Sequence, residues 1–284
     1  QQQSSKSSST KTSNSFEFSS FWTDSNNKAI LDLIDFTKTF LSKHTLLNVL
    51  TRYCVFTTER VLMVMRPYQI AATERIIQRI QIANNYKLWG KIEGGGYIWH
   101  TTGSGKTLIM HVNILQYLHY FKRAKRLNSK LSINNVIVLA PNEGMSKQHL
   151  EELALSSIPA AMFEKDRGFT TRHDDVIVID MNKLKEEGKV KTVSVDSFEQ
   201  NNLVLVDEGH RGLSGEVWYD YRTRLSAEGF AFEYSATFKQ ALKANATGNT
   251  QKEKDERALM EEYGKSIIMD YSYKYFYSDG YGKD

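Results

Sequence analysis

Cysteine is almost missing from this chain of 284 residues: Cys54, flanked by Tyr53 and Val55, is the single one. It has no partner for an intrachain disulfide, so a reducing, cytoplasmic setting is expected, with Cys54 as a buried inert thiol. Long hydrophobic runs are missing too. None approaches the roughly 18 apolar residues of a spanning helix, and the N-terminus lacks the apolar core of a signal peptide, which predicts a soluble protein without a membrane partner. Charge of one sign is in short supply, since 37 Lys and Arg against 33 Asp and Glu leave a net charge of only +4. That balance permits contact with nucleic acid without demanding it. Residues 1–15 hold only Gln, Ser, Thr, Lys and Asn; such a composition cannot offset its own ordering entropy and reads as a flexible tail or linker. The first residue is Gln rather than Met, so the chain is expected to be a piece of something longer.

What is present is enough apolar material, 40% of the residues, for a sizeable core. The most informative stretch is Tyr97-Ile98-Trp99-His100-Thr101-Thr102-Gly103-Ser104-Gly105-Lys106-Thr107. A short apolar run here gives way to a Gly-rich loop ending Gly-Lys-Thr. In Thr102, Gly103, Ser104, Gly105, Lys106 and Thr107, small residues let backbone N–H groups crowd round a phosphate. Lys106 adds a point charge for the β/γ-phosphates of ATP, and the Thr107 hydroxyl can hold Mg²⁺. His100 stands where the consensus asks for a first Gly. The motif needs a strand before it and a helix after it. Gly94 to Gly96 free Tyr97 to Trp99 to form a buried strand, while Leu108, Ile109, Val112, Leu115 and Leu118 recur at helical spacing. The helix N-terminus then faces the phosphate. The plainer alternative is a glycine-rich turn with an incidental lysine.

Three divisions are expected: the tail 1–15, a mainly helical lead-in 16–65 and an ATPase domain 66–284. In the lead-in, Phe16, Phe18, Phe21 and Trp22 form an aromatic cluster expected to pack in a core, and Ile30, Leu33, Ile34, Thr37 and Leu41 mark a helical face over Asn26 to Phe40. Leu46 to Phe56 is a second apolar segment. Arg66-Pro67-Tyr68-Gln69 opens a helix, with Pro67 at a permitted early position and Ile70, Ile76, Ile77 and Ile80 on its face. Phe121 to Lys130, rich in Lys and Arg, is expected to be a solvated connection. Val136 to Ala140, Val176 to Ile179 and Leu203 to Val206 are continuous apolar runs, as in strands covered on both faces; with helical segments such as Ser146 to Leu155 between them they predict an α/β fold with a parallel sheet. The aromatic run Tyr271 to Tyr277 alternates like a strand with one aromatic face, a possible base-stacking surface.

Leu203-Val204-Leu205-Val206-Asp207-Glu208-Gly209-His210 puts two adjacent carboxylates at a strand's C-terminal end, where open α/β sheets place ligand sites. Asp207 can hold Mg²⁺ while Glu208 orients or deprotonates an attacking water. A bare helix cap is the alternative. His210 has no second His or Cys at ligand spacing, which argues against zinc there. Asp175 with Glu187-Gly188-Lys189 mimics a Mg²⁺-nuclease signature but falls in a charged turn within the ATPase core. Ser235-Ala236-Thr237 ends another strand over Phe230 to Phe232.

Loop, Asp-Glu-Gly-His and Ser-Ala-Thr, in this order, resemble the first RecA-like motor domain of superfamily 2 helicases and translocases. By that resemblance Asp207 to His210 match the DEAD/DEAH-type catalytic motif, Ser235, Ala236 and Thr237 the motif coupling hydrolysis to movement, and Gln69 an amide that reads an adenine edge. The run Val64 to Glu74 together with Trp99 to Thr107 is similar to the motor subunit of type I restriction-modification enzymes, in which His also precedes the loop. Asp-Glu-Gly-His-Arg-Gly and Ser-Ala-Thr-Phe read more like type III-related restriction helicases. The resemblance implies ATP and Mg²⁺ as cofactors, double-stranded DNA as track, modification and specificity subunits as partners, and a nuclease domain and second motor domain outside this chain. A general DNA or RNA helicase and a nucleotide-dependent assembly module with negligible turnover are the rival readings.

Overall fold

The computed structural model describes residues 20–56, 62–126, 135–163, 176–184, 201–209, 216–237, 261, 264 and 266–281. The tail 1–15, Phe16, Phe18, Asp175, Glu187 to Lys189 and His210 lie outside the described residues. In chain order the elements are α1 (Leu33–Phe40), α2 (Lys43–Arg52), β1 (Cys54–Phe56), β2 (Leu62–Val64), α3 (Pro67–Asn85), β3 (Gly96–His100), α4 (Lys106–Arg126), β4 (Asn135–Ala140), α5 (Glu143–Leu155), β5 (Ala160–Met162), β6 (Val176–Asp180), β7 (Asn202–Asp207), α6 (Glu216–Leu225), β8 (Phe230–Ser235), β9 (Ile267–Tyr271) and α7 (Tyr273–Ser278).

Seven strands form one sheet in the order β5-β6-β4-β7-β8-β3-β9, and every neighbouring pair is parallel. The expected α/β architecture is therefore present, and the continuous apolar runs have their physical reason. Alternate residues of one strand feed two different cores. Val136 and Val138, Leu203 and Leu205, and Phe230 and Phe232 pack on the side of α3 and α4, whereas Ile137 and Leu139, Val204 and Val206, and Ala231 pack on the side of α6 through Tyr221 and Leu225. Each fully enclosed Ile, Leu, Val or Phe contributes about 1.5–3 kcal/mol over its exposed state. Pro67 sits at the first turn of α3, and Gln69 reaches back to the Arg66 N–H at 2.8 Å, half of a capping box. Asn142 caps α5 by accepting from Met145 N at 2.9 Å. No helix among the described residues is long and apolar enough to cross a membrane.

Four expectations need correction. The helix foreseen from Asn26 begins only at Leu33, because Asp24 accepts from the N–H groups of Asn26 and Lys28, Asn27 turns at φ 62°, and Asp32 caps Ile34 and Asp35. Its apolar face stays largely open among the described residues: α1 has no buried residue, and of the aromatic cluster Phe21 is 56% exposed, although Trp22 meets Phe40 edge-on at 5.1 Å. The basic stretch after the loop helix is not a connection up to Arg126 but the end of α4 itself, since Lys, Arg and Ala are good helix formers. The aromatic run at the end is not one strand. Tyr271 closes β9 and is buried, whereas residues 273–278 coil into α7, where Tyr273 stacks on Tyr277 at helical spacing and Phe276 turns inward against Tyr68 and Tyr271.

Candidate functional site

The three motif ends meet at one edge of the sheet. Strand β8 lies between β7 and β3, pairing Asp207 with Tyr234 and Ser235 with Trp99. The strand-end acids, the Ser-Ala-Thr turn and the Gly-rich loop thus share the C-terminal edge of adjacent parallel strands, the place where such sheets bind ligands.

The loop is built by the backbone. Gly103 and Gly105 adopt φ of +80° and +81°, a conformation that costs an L side chain roughly 1–2 kcal/mol. His100 does not occupy a left-handed position, which is why a Gly there is dispensable; it is the last residue of β3 and wholly buried. Burial, helped by the charge of Lys106, pushes its imidazole pKa down to about 3. The neutral ring lies with Nδ1 3.4 Å from Ser104 Oγ. Ser104 Oγ donates to the Thr101 carbonyl at 2.6 Å, and the Ser104 carbonyl accepts from Tyr68 Oη at 3.0 Å and Gln69 Nε2 at 2.9 Å. Gln69 is thereby welded to the loop. One amide N–H and one oxygen lone pair are used, leaving one of each. Thr102 and Gly103 stand exposed at the tip, while Lys106 and Thr107 open α4.

Opposite the loop, Asp207 ends β7 and Glu208 follows in a left-handed conformation at φ 52°, rare for a residue with a side chain. The Asp207 Oδ1 accepts from the Glu208 N–H at 3.0 Å, fixing the turn. Glu208 Oε1 then lies 3.5 Å from Lys106 Nζ, with the side chains 23% and 13% exposed. This contact brings the lysine of the Gly-rich loop and the second carboxylate together. Beneath it, Gly209 lets the chain pass Glu233, where an added Cβ would come within 2.8 Å of the Glu233 side chain. Glu233 is held by Arg222 at 2.7 Å in a buried pair that also reaches Tyr97 Oη. The Ser-Ala-Thr turn is tied to the loop strand: Trp99 Nε1 donates to the Ala236 carbonyl at 3.1 Å and Thr237 N to Ser235 Oγ at 3.1 Å.

One residue of the site carried no signal in the sequence. His149, buried in α5, places Nε2 3.0 Å from Asp207 Oδ2. It belongs to no motif, and only packing of α5 beside β4, β5 and β6 brings it there. Asp207 thus has each oxygen engaged once, by Glu208 N and by His149, and lone pairs remain on both. That oxygen set, with the Thr107 hydroxyl, is of the hard type that suits Mg²⁺.

Residues 62–240, more than half of the chain, match the family described as type III restriction enzyme, res subunit. The chain belongs to this family. A Mycoplasma pneumoniae protein named as the C-terminal part of a type I restriction enzyme endonuclease subunit is 33% identical over 207 residues, covering 69% of this chain and 95% of that protein. A type I restriction enzyme endonuclease subunit of Staphylococcus saprophyticus is 28% identical over 231 residues, 78% of this chain but only 22% of that subunit. This chain therefore spans about a fifth of that full-length relative. In fold it resembles the UvsW helicase of bacteriophage T4, with a TM-score of 0.50 at 13% identity over 82% of this chain and 67% of that one. The chain is thus a res-family domain of the restriction-enzyme kind with a fold like that of a helicase domain.

Proposed function

We propose that this res-family domain binds ATP with Mg²⁺ and couples its hydrolysis to translocation on double-stranded DNA, as part of a type I-like restriction endonuclease. The observation that carries the reading is the 3.5 Å contact between Lys106 and Glu208, which joins loop and strand-end acids in one cleft. Thr102 to Thr107 cradle the phosphates through backbone N–H groups, and Lys106 turns from Glu208 to the β/γ-oxygens, where an anion of greater charge competes for it. Freed of that cation, Glu208 orients a water and takes its proton. Thr107 and Asp207 hold Mg²⁺, which when bound neutralises developing phosphate charge. Gln69, with one N–H and one lone pair to spare, reads the adenine edge. Ser235, Ala236 and Thr237 couple hydrolysis to movement, and their bond to Trp99 gives them a direct grip on the loop strand. His210 completes the catalytic motif.

The division into a tail at 1–15, a lead-in at 16–65 and a motor domain at 66–284 belongs to the same reading, as do modification and specificity subunits and a cytoplasmic setting. A second motor domain and a nuclease domain are supplied from outside these residues. The arginine that such a second domain contributes is worth roughly 10³–10⁵ in rate in related NTPases, so the 1–284 chain by itself turns over ATP very slowly. Phosphate release from the purified chain, with and without linear duplex DNA, tests this. Slow release with little stimulation is expected; brisk DNA-stimulated turnover overturns the half-motor reading. In the complete enzyme Glu208→Gln should keep ATP binding and lose about 10²–10⁴ in turnover, and Lys106→Ala should abolish ATP binding in calorimetry.

A further inference from the structure

Behind the nucleotide cleft, α4 and α5 bring together three side chains that the motor reading does not use in full. His111 and His149 are only 5% and 4% exposed, and Glu152 lies three residues beyond His149 on the same face of α5. Each has one polar atom engaged on its outer side. His149 Nε2 meets Asp207 Oδ2 at 3.0 Å, His111 Nδ1 meets Ser156 Oγ at 2.9 Å, and Glu152 Oε1 accepts from Gln148 Nε2 at 2.7 Å. The other atom of each, His149 Nδ1, His111 Nε2 and Glu152 Oε2, is buried without a hydrogen-bond partner. One ligand atom from each of the three residues lies within 4.8 Å of the others.

The outer bonds decide what the inner atoms are. A carboxylate only accepts, so His149 donates Nε2–H to Asp207, and in the neutral tautomer that this bond selects Nδ1 is a lone pair. When His111 donates Nδ1–H to the Ser156 hydroxyl, its Nε2 is a lone pair too. With both rings neutral, the three unpartnered atoms are acceptors with no donor among them. One water can donate two hydrogen bonds, which leaves the third lone pair buried and unmatched, at a cost of about 1–3 kcal/mol. A cation satisfies all three at once.

We propose that His111, His149 and Glu152 bind a transition-metal dication of the zinc class, at a site separate from the Mg²⁺ of the nucleotide cleft. Two imidazoles and one carboxylate are a zinc-type donor set with one position left for water, whereas Mg²⁺ prefers oxygen ligands alone. Each ligand already has the outer hydrogen bond that orients metal-binding histidines and carboxylates. Tetrahedral coordination at about 2.0–2.1 Å sets ligand atoms roughly 3.3 Å apart, so the side chains close on the ion by small rotations. The bound metal clamps α4, which carries the phosphate loop, to α5, and fixes through His149 the orientation of Asp207.

The test uses the 1–284 chain, stripped with a chelator and kept free of nucleotide and Mg²⁺, so that it stands apart from the ATPase reading. Titration with Co²⁺ is expected to give the visible absorption of a four-coordinate ion at one equivalent, displaced by Zn²⁺, with a rise in Tm. Glu152→Gln, which preserves shape, and His111→Ala should each weaken binding by at least about tenfold. His44→Ala, at an exposed position of α2, should leave it unchanged. Absence of the Co²⁺ band, or a band insensitive to Glu152→Gln, overturns the proposal. Should His111→Ala fail to fold, Glu152→Gln alone decides.

Discussion

Ile98, Val138 and Leu205 in the sheet have no exposed surface, whereas Leu31, Leu33 and Ile34 in the lead-in are 77, 74 and 62% exposed. Both regions are rich in branched apolar side chains, so the difference lies in what each can press them against. A strand in the middle of a parallel sheet meets neighbours on both edges and helices on both faces. Helices α1 and α2, of 8 and 10 residues, are too short to stand by propensity and rest on their caps, Asp32 and Ser42, and on the Trp22, Phe36 and Phe40 rings. A second contrast sits within the sheet. Buried Arg222–Glu233, at 2.7 Å, is a fixed strut, while Lys106–Glu208, at 3.5 Å and partly open to solvent, is the looser contact.

The contrast can be broken by substitution. Phe232→Ala, at a wholly buried position of β8, should cost about 3–5 kcal/mol in denaturant unfolding; a loss under 1 kcal/mol would mean that the sheet is no tighter than the lead-in. The next effect is one of pH. Because folding lowers the His100 pKa from 6.5 to about 3, the unfolded chain binds a proton that the folded one refuses. Its stabilising effect is full above pH 6.5 and is lost as pH falls towards 3, at up to about 1.4 kcal/mol per pH unit. Unfolding midpoints from pH 7 to 4, compared with His100→Gln, should show a shallower slope in the variant. Gly105→Ala follows. Its Cβ would sit 2.5 Å from Gln69 Nε2 at a φ of +81°, so a cost of about 1–2 kcal/mol and loosened nucleotide binding are expected. Equal stability and affinity would show that Gln69 does not buttress the loop. Smallest of all, Leu33→Gln in α1 should change stability by less than about 0.5 kcal/mol. A larger loss would show that α1 is held more tightly than the exposure of its apolar face indicates.

Much of the motor was legible before any coordinates. Strands β3, β4, β6, β7 and β8 fall where the apolar runs stand, and α3, α4 and α5 where the helical periods do, because a strand buried on both faces favours apolar residues at consecutive positions and takes a polar one, such as Glu233, only with a partner. Short β5 and the edge strand β9, with α6 and α7, left weaker marks: three residues are too few for a pattern, and Tyr273 to Tyr277 satisfies strand and helix spacing alike. In the lead-in, periodicity promised a longer helix than the turn at Asp24 and Asn27 allows.

The sequence by itself determined the Gly-rich loop ending Gly-Lys-Thr, the two adjacent acids and their order along the chain, since each depends on residues that are neighbours in the backbone. Tertiary structure alone decided that Lys106 faces Glu208, that Gln69 holds the loop by the Ser104 carbonyl, that His149 stands on Asp207, and that His111 and Glu152 join it. Those contacts arise between separate helices and strands, where distance along the chain says nothing about distance in space, and they are set by the strand order that folds β7 and β8 against β3.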